Sequence, residues 1–294
     1  MNLRESLRGV LTEKEMQKLV TSFDIIGDIA IIEIPHGLGK KQKIIGEALM
    51  KIHKNVKVVA KKMGPMSGEF RVRPVKVIAG EKRTETEYKE SNCRMRFDVS
   101  EVYFSVRLSH ERERIAGLVK DGEKILALFA GVGPFPLVIA RKKPNVKIIA
   151  IELNPKAVKY LKENIKLNKF ENRIEAIGGD VNKVVPKKFK NWADRVLMPL
   201  PKGAENFLVS AIGGVKNGGI IHFYRFVNAD RAFEEAEGMV EKAAKKAKVK
   251  YKIISRKIIR SYSPKTVQVV LDVKMLAPAH VHRPTTCKRT LSYQ

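Results

Sequence analysis

Residues 124–135 have the sequence Lys-Ile-Leu-Ala-Leu-Phe-Ala-Gly-Val-Gly-Pro-Phe, in which a short apolar run leads into a turn that contains Gly131 and Gly133. A second apolar run, residues 146–151, ends at the acid Glu152. In α/β folds, a nucleoside pocket is built from the following elements in this order: a strand, a glycine turn, a helix, a second strand and an acidic residue. Glycine lets the backbone approach a ligand closely, and a carboxylate can accept hydrogen bonds from ribose hydroxyls. The stretch therefore predicts a nucleoside-binding α/β fold.

The glycine pattern indicates which nucleoside. The dinucleotide fingerprint is G-x-G-x-x-G, but Pro136 stands at its third glycine position and Pro134 interrupts the run. These prolines suit a loop and a first helical turn, and they do not suit a helix start whose N–H groups bind a pyrophosphate. A short G-x-G turn followed by an acid about 20 residues later fits S-adenosylmethionine, which carries no phosphate. A different nucleotide pocket and a plain strand–turn–helix are the alternatives.

Predicted strands and helices alternate around this stretch. Each of the first five strands from residue 124 onwards is followed by a helical segment. These strands are residues 124–129, 146–151, 173–177, 193–198 and 218–224. Such alternation predicts a doubly wound, parallel α/β sheet. Two further strands, residues 250–258 and 266–274, are adjacent, so we expect them to form an antiparallel hairpin at the sheet edge.

The first third of the chain has a different pattern, with short strands and few helices. Residues 23–34 predict a hairpin, and residues 84–99 predict a second hairpin-like unit. We therefore expect a small α+β domain over residues 1–105 that contributes to RNA and substrate binding, and an α/β domain over residues 106–276. Residues 277–294 show no periodicity and predict a disordered tail.

The charge balance indicates the kind of partner. The chain has 58 Lys+Arg against 31 Asp+Glu, which gives a net charge of +27. Such an excess favours a polyanion, and RNA or DNA is the first candidate. A lysine-rich, heat-adapted composition is the alternative, but there glutamate would rise together with lysine. An anionic membrane surface is less favoured, because the sequence has no evident amphipathic anchor.

Several classes of protein are not indicated by the sequence. No apolar run approaches the roughly 20 residues of a membrane span, and the first residues have no apolar core of a secretory signal. The two cysteines, Cys93 and Cys287, form neither a metal motif nor a disulfide framework. We therefore expect a cytoplasmic protein without a metal site.

Two further segments follow predicted strands of the α/β domain. Asp180, next to Val181 after the third strand, can accept a hydrogen bond from the adenine amine, or it can cap the helix that follows. Pro199 and Pro201 end the fourth strand. In doubly wound sheets ligands lie beyond the carboxyl ends of the strands, so both prolines are expected to line the pocket. A purely structural loop is the alternative for this segment.

Taken together, a set of motifs resembles the archaeal and eukaryotic tRNA (guanosine-37-N1)-methyltransferase family, and the related wyosine-pathway enzymes share much of the pattern. The motifs are Gly-Glu-Phe-Arg at 68–71, Val-Tyr-Phe-Ser at 102–105, His-Glu-Arg at 110–112, Leu-Phe-Ala-Gly-Val-Gly-Pro-Phe at 128–135, Ile-Glu-Leu-Asn-Pro at 151–155 and Glu-Asn-Ile-Lys-Leu-Asn-Lys at 163–169. The resemblance covers roughly residues 20–276. It implies a Rossmann-like class I methyltransferase domain and S-adenosyl-L-methionine as the cofactor.

The resemblance also implies roles for individual residues. Methylation of guanine N1 needs a general base, because the N1 lone pair is otherwise tied up in an N–H bond, and it needs a group that holds the charge moving to O6. By resemblance Glu111 is the base, Arg71 is the O6 partner and Tyr103 positions the target base or the cofactor. Without the resemblance, Glu111 lies on a charged helical face typical of solvated surface. The cofactor-binding residues so implied are Arg112, Phe129, Ala130, Gly131, Gly133, Glu152, Leu153, Asp180, Val181, Pro199 and Pro201.

The chain departs from the family pattern in two respects. Guanosine-37 enzymes usually carry Asn where this chain has Pro199, which leaves only a backbone carbonyl as an acceptor. The proline resembles an archaeal subgroup that also methylates C7 of 4-demethylwyosine. In addition, we expect the chain to lack the N-terminal domain that binds the tRNA elbow, which enzymes of this family usually carry.

The substrate expected from the resemblance is the anticodon loop of tRNA at position 37, and we expect the enzyme to be a monomer. An aminocarboxypropyl transferase of the wyosine pathway and a non-catalytic basic RNA-binding protein remain the alternative functions.

Overall fold

The computed structural model describes residues 2–66 and 68–276, so the tail predicted at residues 277–294 lies outside the described residues. The N-terminal part contains short helices and a four-stranded sheet of order β1-β2-β3-β4, in which β2 and β3 are parallel and the other two pairs antiparallel. Its elements are α1 (Leu3–Ser6), α2 (Glu13–Lys18), β1 (Phe23–Ile26), β2 (Ile29–Ile32), α3 (Gln42–Ile52), β3 (Val58–Lys62) and β4 (Val75–Gly80). The hairpin predicted at residues 23–34 is confirmed, and it turns at Gly27, whose φ of +59° lies in the left-handed region.

One predicted strand begins later than expected. The sequence of residues 70–80 predicts a strand, but β4 begins only at Val75. The preceding residues form a turn in which Gly68 and Arg71 have φ values of +72° and +53°. A left-handed residue cannot continue a strand. The side chains of this turn therefore lie in a loop at the edge of the N-terminal sheet.

The second part of the chain forms a seven-stranded sheet of order β12-β13-β11-β10-β7-β8-β9 with helices on both faces, which confirms the predicted doubly wound α/β fold. Its elements are α4 (Ser109–Leu118), β7 (Lys124–Leu128), α5 (Pro134–Lys142), β8 (Lys147–Glu152), α6 (Pro155–Leu167), β9 (Ile174–Gly178), α7 (Val181–Lys188), β10 (Ala193–Met198), α8 (Leu208–Gly214), β11 (Val215–Asn228), α9 (Ala232–Ala247), β12 (Lys250–Ser263) and β13 (Thr266–Leu276). Strand order reverses between β7 and β10, and ligands of such sheets bind at this switch point.

The two last strands form the antiparallel edge hairpin expected from the sequence. β13 inserts beside β11 and leaves β12 at the edge of the sheet. Pairing between β12 and β13 shifts register at three places, between Ile253 and Ser255, between Ile258 and Arg260, and between Ser261 and Ser263. Such bulges twist an exposed edge away from further strand pairing and can redirect side chains.

A separate hairpin, β5 (Glu85–Glu90) and β6 (Cys93–Asp98), packs against α6. Asn164 and Asn168, four residues apart on α6, supply the polar contacts. Oδ1 of Asn164 accepts from the N–H of Arg96 at 2.7 Å, and its Nδ2 donates to the carbonyls of Arg96 and Val132 at 3.1 Å each. Asn168 makes the matching pair of bonds to the backbone of Arg94. These amides join the hairpin, the helix and the glycine turn.

A buried polar chain crosses the sheet beneath α4. Arg195 on β10 donates to Glu123 at 2.7 Å and to Nε2 of His222 at 2.7 Å. Because an arginine can only donate, Nε2 of His222 accepts, and its Nδ1–H donates to Asp272 at 2.6 Å. Arg114 bridges Asp272 to Glu111 with bonds of 2.7–2.9 Å. His222 is therefore a neutral imidazole held between charged partners.

Burial and the neighbouring charges shift the pKa values of His222 and Asp272. Burial lowers the pKa of His222, and the Asp272 carboxylate offsets that effect only in part. Burial alone would raise the pKa of Asp272, but hydrogen bonds and charge from His222 and Arg114 hold it below the usual aspartate range. Both groups bind fewer protons in the folded chain than in the unfolded chain at mildly acidic pH.

We expect Asn164→Ala to lower the free energy of unfolding by about 3 kcal/mol, because it leaves buried backbone groups of β6 and the glycine turn without partners. Chemical denaturation monitored by circular dichroism measures this loss. Glu163→Ala, on the exposed side of the same helix, is the matched control and should change stability by about 0.5 kcal/mol or less. Equal losses in the two variants would contradict the role given to Asn164.

We also expect stability to fall as the pH is lowered below about 6.5, the ordinary histidine pKa, because the unfolded chain then takes up a proton that folded His222 excludes. Denaturation between pH 7 and pH 5 should give a smaller slope for His222→Gln than for the wild type. His36→Gln, which changes an exposed histidine, should keep the wild-type slope. An unchanged slope in His222→Gln would show that this imidazole does not carry the effect.

Candidate functional site

A cavity of about 830 Å³ opens at the carboxyl ends of β7, β8, β9 and β10, facing the loop that precedes β4. Its volume is within the range of small-molecule and cofactor sites, roughly 300–1,000 Å³. The predicted site residues that line it are Arg71, Tyr103, Phe129, Gly131, Glu152, Leu153, Asp180, Val181, Pro199 and Pro201. Four predicted residues, Ala130, Gly133, Glu111 and Arg112, are not among those that line it.

The glycine turn forms one wall of the cavity. Gly131 has a φ of +57°, and a Cβ built there would meet only the carbonyl of Tyr103, at 3.9 Å, so the turn approaches open space at this residue. A Cβ at Gly133, with φ of +94°, would lie 2.6 Å from Cδ1 of Leu161. Ala130 is buried and donates its N–H to the carbonyl of Ile151 at 3.0 Å. Gly131 thus faces the cavity, while Ala130 and Gly133 fix the turn from behind.

Among the side chains that line the cavity, Glu152 makes the largest number of hydrogen bonds. Its Oε2 accepts from the N–H of Gly131 at 2.7 Å, and its Oε1 accepts from the N–H groups of Leu153 and Asn154 at 2.9 and 2.8 Å. Burial raises the pKa of Glu152, and the backbone donors offset this only in part. Three of the roughly four acceptor positions of the carboxylate are thus occupied by backbone, which fixes its orientation towards the cavity.

Further residues of the cavity wall come from the segments that follow β7, β9 and β10. Asp180 caps α7 by accepting from the N–H of Asn182 at 2.8 Å, which confirms its predicted role as a helix cap, and it also lines the cavity. Phe129, in a strained left-handed conformation with φ of +54°, packs edge-on against Phe207 with ring centroids 4.9 Å apart. Phe207 was not identified from the sequence, because it lies in a short irregular segment without a motif.

The entrance to the cavity is cationic and aromatic. The guanidinium of Arg71 lies 5.8 Å from the ring centroid of Tyr103, a cation–π distance. Arg73, Arg260 and Tyr262 also line the entrance. The sequence did not single out these last three for the site, because their position depends on the loop before β4 and on the tip of the β12–β13 hairpin.

Glu111 and Arg112 lie in buried ion pairs on α4. The carboxylate of Glu111 accepts two hydrogen bonds from Arg114 and one from the hydroxyl of Tyr224 at 2.5 Å. Arg112 donates to Glu90 at 2.6 and 2.5 Å. The structure therefore does not bring either side chain into the cavity with the other predicted site residues, and any contact with a ligand requires these pairs to open.

Two features are absent from the described residues 2–66 and 68–276. They contain no group of three or more histidine, cysteine or acidic side chains arranged to hold a metal ion. No helix among them is both long and apolar enough to cross a membrane.

Two family models match the chain: the TYW2 N-terminal domain over residues 3–84 and the TRM5/TYW2 methyltransferase domain over residues 86–254. The Pyrococcus abyssi tRNA (guanine(37)-N(1))-methyltransferase Trm5b is 42% identical over 257 residues, which are 87% of this chain and 76% of that protein. The Nanoarchaeum equitans tRNA (guanine(37)-N(1))/4-demethylwyosine(37)-methyltransferase Taw22 is 34% identical, over 82% of this chain and 97% of that protein.

Among solved structures, the complex of aTrm5 with tRNALeu superposes with a TM-score of 0.81 at 36% identity, covering 93% of this chain and 78% of that chain. The similarity therefore extends over both the N-terminal sheet and the seven-stranded sheet. The chain belongs to the TRM5/TYW2 methyltransferase family.

Proposed function

We propose that this chain transfers a methyl group from S-adenosylmethionine to the purine at position 37 of tRNA, at N1 of guanine, at C7 of 4-demethylwyosine, or at both. The observation that carries the proposal is the hydrogen-bonded pair of Gly131 and Glu152 at the carboxyl ends of β7 and β8, in the same cavity as Arg71 and Tyr103. A nucleoside-binding cradle thus lies next to a cationic and aromatic entrance, and an enzyme that acts on RNA needs both.

The residues present fit S-adenosylmethionine. Glu152 would hold the ribose hydroxyls, and since two hydroxyls need two acceptor positions, one of its backbone hydrogen bonds would give way. Asp180 would accept from the adenine amine, and the rings of Phe129 and Phe207 supply apolar contact area for the base. When bound, S-adenosylmethionine supplies a methyl group on a positively charged sulfur. The chain contributes the orientation of that group and the exclusion of water.

The chain's own residues must prepare the target purine. A flipped base is most easily obtained from a single-stranded loop, and the entrance can receive it next to Arg71 and Tyr103. Arg71 would hold the charge that develops on O6 when N1 loses its proton. Glu111 is the proposed base for that proton, and in this role it must release Tyr224 or Arg114 as the tRNA binds.

The anticodon loop is the proposed segment of the tRNA, and the net charge of +27 supports binding of its phosphates. We further propose that the chain acts as a monomer in the cytoplasm.

Aminocarboxypropyl transfer is the second candidate, because the related wyosine-pathway enzymes share much of the sequence pattern of this chain. The Pro199-Leu200-Pro201 segment argues against it by resemblance, because enzymes of that kind carry other residues there.

Glu152→Ala should weaken S-adenosylmethionine binding about tenfold or more, because hydrogen bonds to a charged group contribute about 1.5–3 kcal/mol each. Calorimetry measures this loss. Since the pKa of Glu152 is raised, wild-type affinity should begin to fall on acidification at a pH above the ordinary glutamate pKa of about 4.3. Glu175→Ala, at an exposed residue of β9, is the control and should bind normally. Wild-type affinity in Glu152→Ala would exclude the proposed cradle.

Nucleoside mass spectrometry of tRNA tests the reaction itself. We expect wild-type enzyme to add a methyl group at position 37 of guanosine-37 tRNA, of 4-demethylwyosine-37 tRNA, or of both. Glu111→Gln should lower the rate by about 100-fold or more, the usual contribution of a general base, while calorimetry shows retained cofactor binding. Tyr224→Phe disturbs the same buried network without removing a carboxylate, and it should lower the rate much less.

The outcomes separate the alternatives. An aminocarboxypropyl adduct on the nucleoside would establish the second candidate instead of methyl transfer. An equal loss of rate in Glu111→Gln and Tyr224→Phe would assign Glu111 a structural role only. No modification of either tRNA by a chain that binds the cofactor would contradict the proposed function.

A further inference from the structure

A second cavity, of about 210 Å³, adjoins the candidate cofactor cavity. It lies between the N-terminal sheet, the segment after β6 and the tip of β12, and we call it the arginine cavity. Six residues line both cavities: Met66, Arg71, Arg73, Tyr103, Arg260 and Tyr262. A polymeric ligand with one unit in the first cavity can therefore place its next unit in the second.

The arginine cavity carries cations without acidic partners. Asp24 is the one acidic side chain in its lining, and it pairs with Arg107 at 2.9 Å. Arg260 donates to the neutral amide oxygen of Gln268 at 2.8 Å. Lys62, Arg71 and Arg73 form no ion pair with any residue in the described ranges. Four cationic side chains thus surround one small space.

Most of the other lining residues are apolar. Side chains such as Ile26, Ile31, Val99 and Val102 are buried and form the floor of the cavity. Low-dielectric walls strengthen the repulsion between like charges, so an anion that enters is bound more strongly than on an open surface. Apolar walls with arginines at the rim suit a ribose joined to a phosphodiester, because arginine donates to phosphate oxygens in pairs.

An aromatic platform stands at the mouth of the arginine cavity. The Tyr262 ring packs on Phe226 with centroids 4.6 Å apart, and Tyr262 remains 62% exposed. An exposed ring fixed by a second ring beneath it is the arrangement on which an unpaired base stacks. The bulge between Ser261 and Ser263 accompanies this position at the tip of the hairpin.

We propose that the arginine cavity binds the ribose and phosphodiester of the nucleotide next to the methylated purine, with Arg73 and Arg260 on the phosphate and Tyr262 stacked on the base. This inference rests on the proposed function, since the target purine occupies the adjoining cavity. In this arrangement the N-terminal sheet and the β12–β13 hairpin hold the RNA loop together, and they determine which nucleotide of the loop lies in the adjoining cavity.

The test uses an anticodon stem-loop RNA in which a neutral methylphosphonate replaces the phosphodiester on the 5′ or on the 3′ side of position 37. Binding is measured by fluorescence anisotropy with the full chain. For the wild type, one of the two replacements should weaken binding about tenfold, the loss expected for a charged hydrogen bond. Arg73→Gln and Arg260→Gln should each weaken binding to the unmodified RNA by a similar factor. In these variants, the same methylphosphonate should weaken binding only a little further.

Lys252→Gln is the matched control, because Lys252 is exposed on the same strand as Arg260 and lines neither cavity. It should respond to the methylphosphonate as the wild type does. Arg73→Lys keeps the charge and should restore part of the sensitivity, which separates loss of the contact from loss of the fold.

The inference would be overturned if, at both linkages, the losses of RNA affinity caused by the arginine substitution and by the methylphosphonate were fully additive. A wild-type chain that binds neither S-adenosylmethionine nor the stem-loop would instead contradict the proposed function.

Discussion

The Glu152 carboxylate, held by the N–H groups of Gly131, Leu153 and Asn154, joins the glycine turn after β7 to the end of β8. These bonds require Gly131 in the left-handed region, where a side chain would be strained. They set the height of the turn above the sheet and so place Phe129 on the cavity wall. Asn164 fastens the same turn from behind through the carbonyl of Val132. The cradle is therefore rigid on both sides before any ligand arrives.

The N-terminal part of the chain completes the site that the seven-stranded sheet begins. The turn that precedes β4 carries Arg71 and Arg73 over the carboxyl ends of the strands, and the tip of β12 brings Arg260 and Tyr262 to the same place. The parallel strands thus provide the nucleoside cradle, and the added elements provide the cations and rings for a polyanion. This division explains why a chain with an ordinary doubly wound sheet also carries a large positive charge.

The sequence predicted those site residues whose positions follow from the order of strands and helices along the chain. Gly131, Glu152 and Asp180 follow consecutive strands of a parallel sheet, so their convergence at one edge follows from the alternation of strands and helices. Glu111 and Arg112 were expected at the site by resemblance alone, and the structure holds both in buried pairs. Their partners, such as Tyr224 and Glu90, come from distant strands, and no local pattern specifies such pairing. The sequence did not single out Tyr262 for the site, because its place at the entrance depends on the insertion of β13 beside β11.

In the proposed mechanism, the Gly131–Glu152 cradle and the Arg71–Tyr103 entrance hold the two reactants of one methyl transfer. A crystal structure of the chain with S-adenosylhomocysteine and an anticodon stem-loop tests it most directly. We predict that the ligand's ribose hydroxyls lie within hydrogen-bond distance of Glu152, and that the purine of position 37 is flipped out of the loop and lies next to Arg71 and Tyr103. A ribose that does not contact Glu152, or a purine at position 37 that stays stacked in the loop, would contradict it.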